Sequence, residues 1–249
     1  YIEAVVLAVI QGLTEFLPVS SSGHLVLVQH WFGHFSETNL LYDIMLHLAT
    51  VTAILVYFRQ DLFTLGLGYV GWTTPQGSLF QGFERRTIHY VLLASIPTAI
   101  IGLGIRSIGL ETLVQPSVVA VMLLITGVIL WLGRGRNSAR GIQDMGIRDA
   151  LAIGIVQGVA VFPGISRSGS TIASGVLLGL DRELSARFSL LISMPAIVGA
   201  TILEIGKGMD QIHEPIGVYV VGMVVAALVG YGSISLIIKL VRQDHFHLF

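Results

Sequence analysis

At 249 residues, with 53% hydrophobic side chains against 12% charged ones and a mean hydropathy of +0.81, the chain falls outside the soluble domains, where about a quarter of residues are charged. A net charge of −1 and the lack of any basic run leave no nucleic-acid partner, and the absence of cysteine excludes disulfide and thiol chemistry. What remains is one polytopic membrane domain, residues 1–249, with room for about eight crossings or partial crossings at ~20 residues each. No basic-then-apolar leader with a small-residue cleavage site is expected. The chain opens at Tyr1 rather than Met, so neither end carries an argument.

In chain order, the first element is a broken apolar region, residues 4–31, with "QGLTEFLPVSSSGHL" at its centre. Uninterrupted apolar stretches predict spanning helices at Leu40–Phe58, Ile88–Ile105 and Ser117–Leu132. A second broken region, residues 150–180, carries "FPGISRSGSTIASG". Two further spans follow: Ala186–Ile205, which contains Pro195 and Glu204, and Gly217–Leu240.

The two broken regions are copies of one another. A shift of 146 residues pairs Ala4 with Ala150, Gln11 with Gln157, Gly12 with Gly158, Phe16 with Phe162, Ser20 with Ser166, Ser22 with Ser168 and Gly23 with Gly169, without a gap. Repeat one is expected at about 1–105 and repeat two at about 149–241. Two ordinary Gly/Pro-kinked helices would be the bland alternative. Against it, both breaks fall at the same offset and hold the densest polar residues of the chain. Unwound backbone at membrane depth must be buried in protein or line a cavity, and such breaks in corresponding halves mark a binding site.

If both regions are re-entrant hairpins, three spans lie between them, so they enter from opposite faces and the repeat is inverted. One face then collects Arg59, Arg85, Arg86, Arg134, Arg136, Arg140, Arg148, Arg182, Arg187, Lys239 and Arg242, while the other receives Arg106 and Lys207. That bias assigns the Arg-rich face to the cytoplasm. Arg167 remains, inside the second hairpin, and an intramembrane arginine is a functional residue by default.

The hairpins therefore bring opposite chemistry together. Arg167, Ser166, Ser168, Ser170 and Thr171, with backbone donors around Gly169 where a helix restarts, make an anion site suited to phosphate. Ser20 and Ser22 add hydroxyls from the first hairpin. Glu15 offers a hard oxygen ligand and Gln11 lies one turn before it, a pair suited to Mg²⁺ or Ca²⁺ shared with substrate phosphates. His24 exchanges a proton near neutral pH, and Ser21 beside it is a candidate nucleophile. Each has a bland counterpart: serines in membrane helices bond back to the i−4 carbonyl, and a lone His or Glu is often a satisfied buried group. The case rests on their coincidence. Asp43 and His47, at i and i+4 on the next span, are expected to support the site, and Glu204 to sit at a helix end near the interface.

These residues carry a resemblance. "QGLTE" followed by "FLPVSSSGH", with "PGISRSGST" in the second half, resembles the undecaprenyl-pyrophosphate phosphatase family over nearly the whole chain. The resemblance implies an all-α fold of interlocked inverted repeats with re-entrant hairpins, and an active site of Gln11, Glu15, Ser21, His24, Pro163, Gly164, Ser166, Arg167, Ser168 and Thr171. It implies a polyprenyl diphosphate substrate cleaved on the outer side of the bacterial plasma membrane to the monophosphate, a divalent cation, and a bilayer environment. A homodimer stays open. Gln11 stands where many members have Glu, so that position offers a neutral carbonyl, and Ser22 stands where Thr is common. Past "RQDHFHLF" the family usually continues into a last spanning helix.

The mechanism this implies places the lipid diphosphate between the hairpins, oriented by Arg167 and the hydroxyls, with Ser21 or a water attacking phosphorus. The rival reading is a transporter of a lipid phosphate or small anion on the same inverted-repeat fold. A transporter needs the anion site but no nucleophile, base or metal ligand.

Overall fold

The computed structural model describes residues 1–31, 40–72, 78–109, 115–136, 139–208 and 215–249, with the side chains of 206–208, and so that of Lys207, outside the description. Among the described residues there are ten α-helices: α1 Ile2–Thr14, α2 Ser21–Trp31, α3 Leu40–Tyr57, α4 Arg59–Tyr69, α5 Glu84–Ser107, α6 Pro116–Leu132, α7 Ile147–Val159, α8 Arg167–Leu177, α9 Arg182–Gly208 and α10 Ile216–Arg242.

The predicted spans are all helical. α3, α5, α9 as far as Ile205, and α10 are long and apolar enough to cross a membrane. α6 is apolar but has 17 residues, the short end of a spanning length. α5 shows what faces the lipid: Leu92, Ile96, Ile100 and Leu103 stand out along one stripe, each at least half exposed. α4 was not anticipated from the sequence. Its 11 residues, RQDLFTLGLGY, are too few and too polar to register as a span.

Both broken regions fold as a helix of 13 residues, a break, and a helix of 11 residues. In each break, backbone groups find partners elsewhere in the protein, as burial in a bilayer demands. In the first, Phe16 is buried among Ile54, Phe58, Leu130, Ile172 and Ile234, and the Leu17 carbonyl accepts from Ser168 Oγ at 3.2 Å. In the second, Thr126 on α6 serves two groups: its hydroxyl donates to the Gly164 carbonyl and accepts from the Ser166 N–H, both at 2.9 Å.

Packing exchanges partners between the halves. α1 lies against α10, and α7 against α5. Close approach is possible because the paired glycines sit at these contacts. A Cβ on Gly12 would stand 2.8 Å from the Ala226 carbonyl oxygen and one on Gly158 2.8 Å from Ile101 Cβ. The helix restarts are reciprocal too: Gly23 of α2 abuts Gly164 of the second break, and Gly169 of α8 abuts Pro18 of the first, at 3.2 and 3.0 Å from the same hypothetical atom.

One end of the helix set is tied by ion pairs. Arg187 reaches Asp61 at 2.6 Å and Glu183 at 2.8 Å, Arg242 also reaches Glu183, Arg182 meets Asp244 at 3.0 Å, and Arg140 meets Asp149 at 2.7 Å. These arginines are members of the predicted Arg-rich face. At the opposite ends of α5 and α9, Arg106 lies 4.0 Å from Glu204.

Gly158→Val forces a branched side chain against Ile101 and is expected to destabilise the protein by about 1–3 kcal/mol. Gly104→Ala, on the facing helix α5 with nothing near the added atom, is expected to be neutral or stabilising by up to about 1 kcal/mol. Thermal unfolding in detergent compares the two.

Candidate active site

Two helices begin at the site, and each starts with a serine cap. Ser20 Oγ accepts from the Gly23 N–H at 3.3 Å, and Ser166 Oγ from the Gly169 N–H at 3.1 Å, the same contact at both helix starts. Ser20 holds a φ of 66°, a left-handed conformation uncommon outside glycine that places the cap before Ser21. The N-terminal ends of α2 and α8, with their positive dipole ends, thus meet beside the two breaks.

Glu15 sits at the centre, its carboxylate 1% exposed. Arg167, the first residue of α8, pairs with Oε1. Oε2 accepts from Ser21 Oγ at 2.6 Å and from Gln11 Nε2 at 2.9 Å, and His47 Nε2 lies 3.6 Å from it. Residues 152 positions apart in sequence are joined here. A carboxylate unpaired at this depth would be costly, and the guanidinium with two hydrogen bonds offsets its desolvation.

A cavity of about 300 Å³ opens beside this pair, lined by Glu15, Ser20, Ser21, Ser22, Ser166 and Arg167. These six predicted site residues are brought together. Four others serve the site from behind it. Gln11 bonds to Glu15 without lining the cavity, Ser168 holds the Leu17 carbonyl, and Gly169 packs under Pro18. The Thr171 hydroxyl bonds to the Arg167 carbonyl at 2.8 Å and to Ser189 Oγ at 2.5 Å, which fixes the first turn of α8. His24 turns its Nδ1 to the Ser20 carbonyl at 2.9 Å and does not line the cavity. The hydroxyl of Ser21 therefore meets a carboxylate, where the sequence suggested an imidazole.

Asp43 and His47 do line the cavity, as does Glu204, which was expected only near an interface. Thr98, Gln157 and Thr201 were missed. Gln157 had a signal, its repeat match to Gln11. It donates to Thr98 Oγ1 at 3.1 Å and to the Ile192 carbonyl at 3.3 Å. Apart from Thr14 the remaining wall is apolar, with Leu40 and Ile44 on α3 and Ala196, Ile197 and Ala200 on α9.

Whether a divalent cation suits the site is a question of donors. Among the described residues no three His, Cys, Asp or Glu side chains come together as a metal cage. A hard cation shared with phosphate oxygens needs only one or two protein oxygens. Glu15 offers a carboxylate, and the buried Gln11 Oε1 is left without a partner. The donor set fits such a shared cation.

Fold and site together define a polytopic helical membrane protein whose two broken helices bring a buried carboxylate, a guanidinium and serine hydroxyls to one cavity. Residues 4–249 match the family described as bacitracin resistance protein BacA, and the chain belongs to that family. The undecaprenyl-diphosphatase of Desulfosudis oleivorans is 45% identical over 100% of this chain and 93% of its own length. Those of Desulfatibacillum aliphaticivorans and Methanosphaera stadtmanae are each 39% identical, over 98% and 97% of this chain and 91% and 90% of their own lengths.

Removing one partner of the central pair leaves the other charge buried. Arg167→Met is expected to lower stability by about 3–5 kcal/mol, and Glu15→Gln combined with Arg167→Met to cost less than Arg167→Met alone. Denaturant unfolding of the single and double variants measures the coupling.

Proposed function

We propose that this protein hydrolyses undecaprenyl diphosphate, or a similar polyprenyl diphosphate, to the monophosphate and inorganic phosphate, recycling a cell-wall carrier lipid. The observation that carries the reading is the meeting of Glu15, Ser21 and Arg167 on one cavity, in a chain whose relatives bear the name undecaprenyl-diphosphatase. A transport-only reading is not favoured, because it leaves the Ser21 to Glu15 contact without a use.

In this reading the diphosphate enters the cavity and takes Arg167 as its principal counter-charge, with the first N–H groups of α2 and α8 and the Ser22 hydroxyl completing the cradle. Ser166 and Ser20 contribute through their caps, by holding those N–H groups in place. Ser21 attacks the terminal phosphorus as its proton passes to Glu15, and the lipid monophosphate leaves. Water then attacks the phosphoserine and frees inorganic phosphate. The resemblance gives His24, one helical turn from Ser21, the proton transfer to the leaving oxygen or from that water; its ring, bonded to the Ser20 carbonyl outside the cavity lining, would turn into the cavity to do so. Positioning and charge neutralisation are the main demands of phosphoryl transfer, and this constellation addresses both. A Mg²⁺ or Ca²⁺ ion held by Glu15 and Gln11 Oε1 would supply further neutralisation of the phosphate oxygens.

The exchanged packing of α1 on α10 and α7 on α5 supports two interlocked inverted repeats, with 4–31 and 150–180 as re-entrant hairpins. The cavity's Glu204 end lies beside Arg106, on the Arg-poor side of the charge count, and this supports a site facing the outer side of a bacterial plasma membrane. The apolar wall between α3 and α9 is where the prenyl tail would leave the cavity for the bilayer.

The decisive assay is inorganic phosphate release from a polyprenyl diphosphate by the detergent-solubilised protein, with Mg²⁺, Ca²⁺ or a chelator. Glu15→Ala and Arg167→Ala are each expected to lower the rate about 100-fold or more. Chelation is expected to suppress release, and re-addition of the cation to restore it. Lack of release by a folded wild type under every metal would overturn the reading.

A further inference from the structure

Three elements address Glu15 Oε2. Gln11 comes from α1 and Ser21 from α2, at 2.9 and 2.6 Å, while the third approach, His47 from α3 at 3.6 Å, belongs to neither motif. His47 is not loosely placed. Its Nδ1 lies 2.8 Å from the Asp43 carbonyl oxygen, a group that can only accept, so Nδ1 carries a proton and donates. That bond sets the plane of the ring and directs Nε2 at Glu15. The same turn of α3 is anchored in its own right, since Gln29 Nε2 lies 3.0 Å from both Asp43 carboxylate oxygens. Gln29 is on α2, the helix that begins with Ser21. A closed circuit results: α2 is tied to α3 through Gln29 and Asp43, His47 of α3 faces Glu15 at 3.6 Å, and Glu15 holds the start of α2 through Ser21.

We infer that His47 is a positioning residue for the reaction, acting through Glu15. The terminal torsion of a glutamate is broad, so the plane of the carboxylate is set by the groups that surround its two oxygens. Arg167 takes Oε1. Buried Gln11 lies on one side of Oε2, and the half-buried ring of His47 closes the cavity side, leaving Oε2 turned toward the Ser21 hydroxyl. His47 is also the imidazole that lines the cavity, which His24 does not. Without that ring the cavity side of Oε2 is open, and the carboxylate gains room to tilt away from the serine whose proton it is to receive. A displacement of that size at a reacting group costs rate more than binding.

The inference rests on the phosphatase reading, and the experiment separates the two. Phosphate release is measured for wild type, His47→Ala, His47→Leu and His47→Gln in detergent, over a range of polyprenyl diphosphate concentrations, with thermal unfolding of each. His47→Ala and His47→Leu are expected to lower kcat by about 10- to 100-fold with KM unchanged. His47→Gln, which keeps a planar polar group of similar reach, is expected to recover kcat to within a few-fold of wild type. A wild-type kcat in His47→Ala, equal activity of the Leu and Gln variants, or a loss confined to KM would each overturn the positioning role while the phosphatase reading stood. An inactive wild type would remove both.

Discussion

The buried pair between Glu15 and Arg167 is the constraint around which the rest of the molecule is arranged. Each residue belongs to a different broken helix, and neither charge is tolerable alone at that depth. Bringing them together requires the two breaks to face each other. Breaks inside a bilayer in turn require other protein groups to take over the freed backbone bonds. Thr126 and Ser168 do this, and they explain why α6 and α8 pack where they do. The glycines at the helix restarts let the two breaks approach to van der Waals contact.

The two halves are alike in backbone and unlike in chemistry, and that division produces a site. At equivalent positions, Glu15 matches Val161, Ser21 matches Arg167 and His24 matches Ser170. The shared features, Ser20 with Ser166 and Gly23 with Gly169, are the caps and close contacts that build two helix starts. The features that differ supply a carboxylate and a hydroxyl from one side and a fixed cation from the other. The two unlike halves meet on one cavity, with residues of α3 and α9 lining its side.

Much of the fold was legible in the sequence because membrane burial leaves a strong one-dimensional signature. Apolar runs of spanning length marked α3, α5, α6, α9 and α10 to within a few residues at most ends, and the repeat located both breaks. α4 was invisible because 11 mixed residues carry no comparable periodic signal. Within the site, residue types were legible and their partners were not. Ser21 was paired with His24 on helical proximity, but a chain turning through Ser20 directs the hydroxyl at Glu15 instead, a preference that depends on a single backbone torsion.

The sequence by itself determined that this is a membrane-embedded helical protein, that two of its helical regions are broken at matching sequence offsets, and that Glu15 and Arg167 are the charges demanding explanation. Those conclusions follow from composition and spacing, since the hydrophobic effect and backbone hydrogen bonding act on any such chain in the same way. Tertiary structure alone decided which atoms meet. Glu15 accepting from α1, α2 and α8 while facing His47 of α3, Gln157 and Thr98 reaching the cavity wall, and Ser166 serving as a cap are outcomes of packing among segments far apart in the chain. Such contacts depend on distances of a few tenths of an ångström, which no pattern of residue types along one dimension encodes.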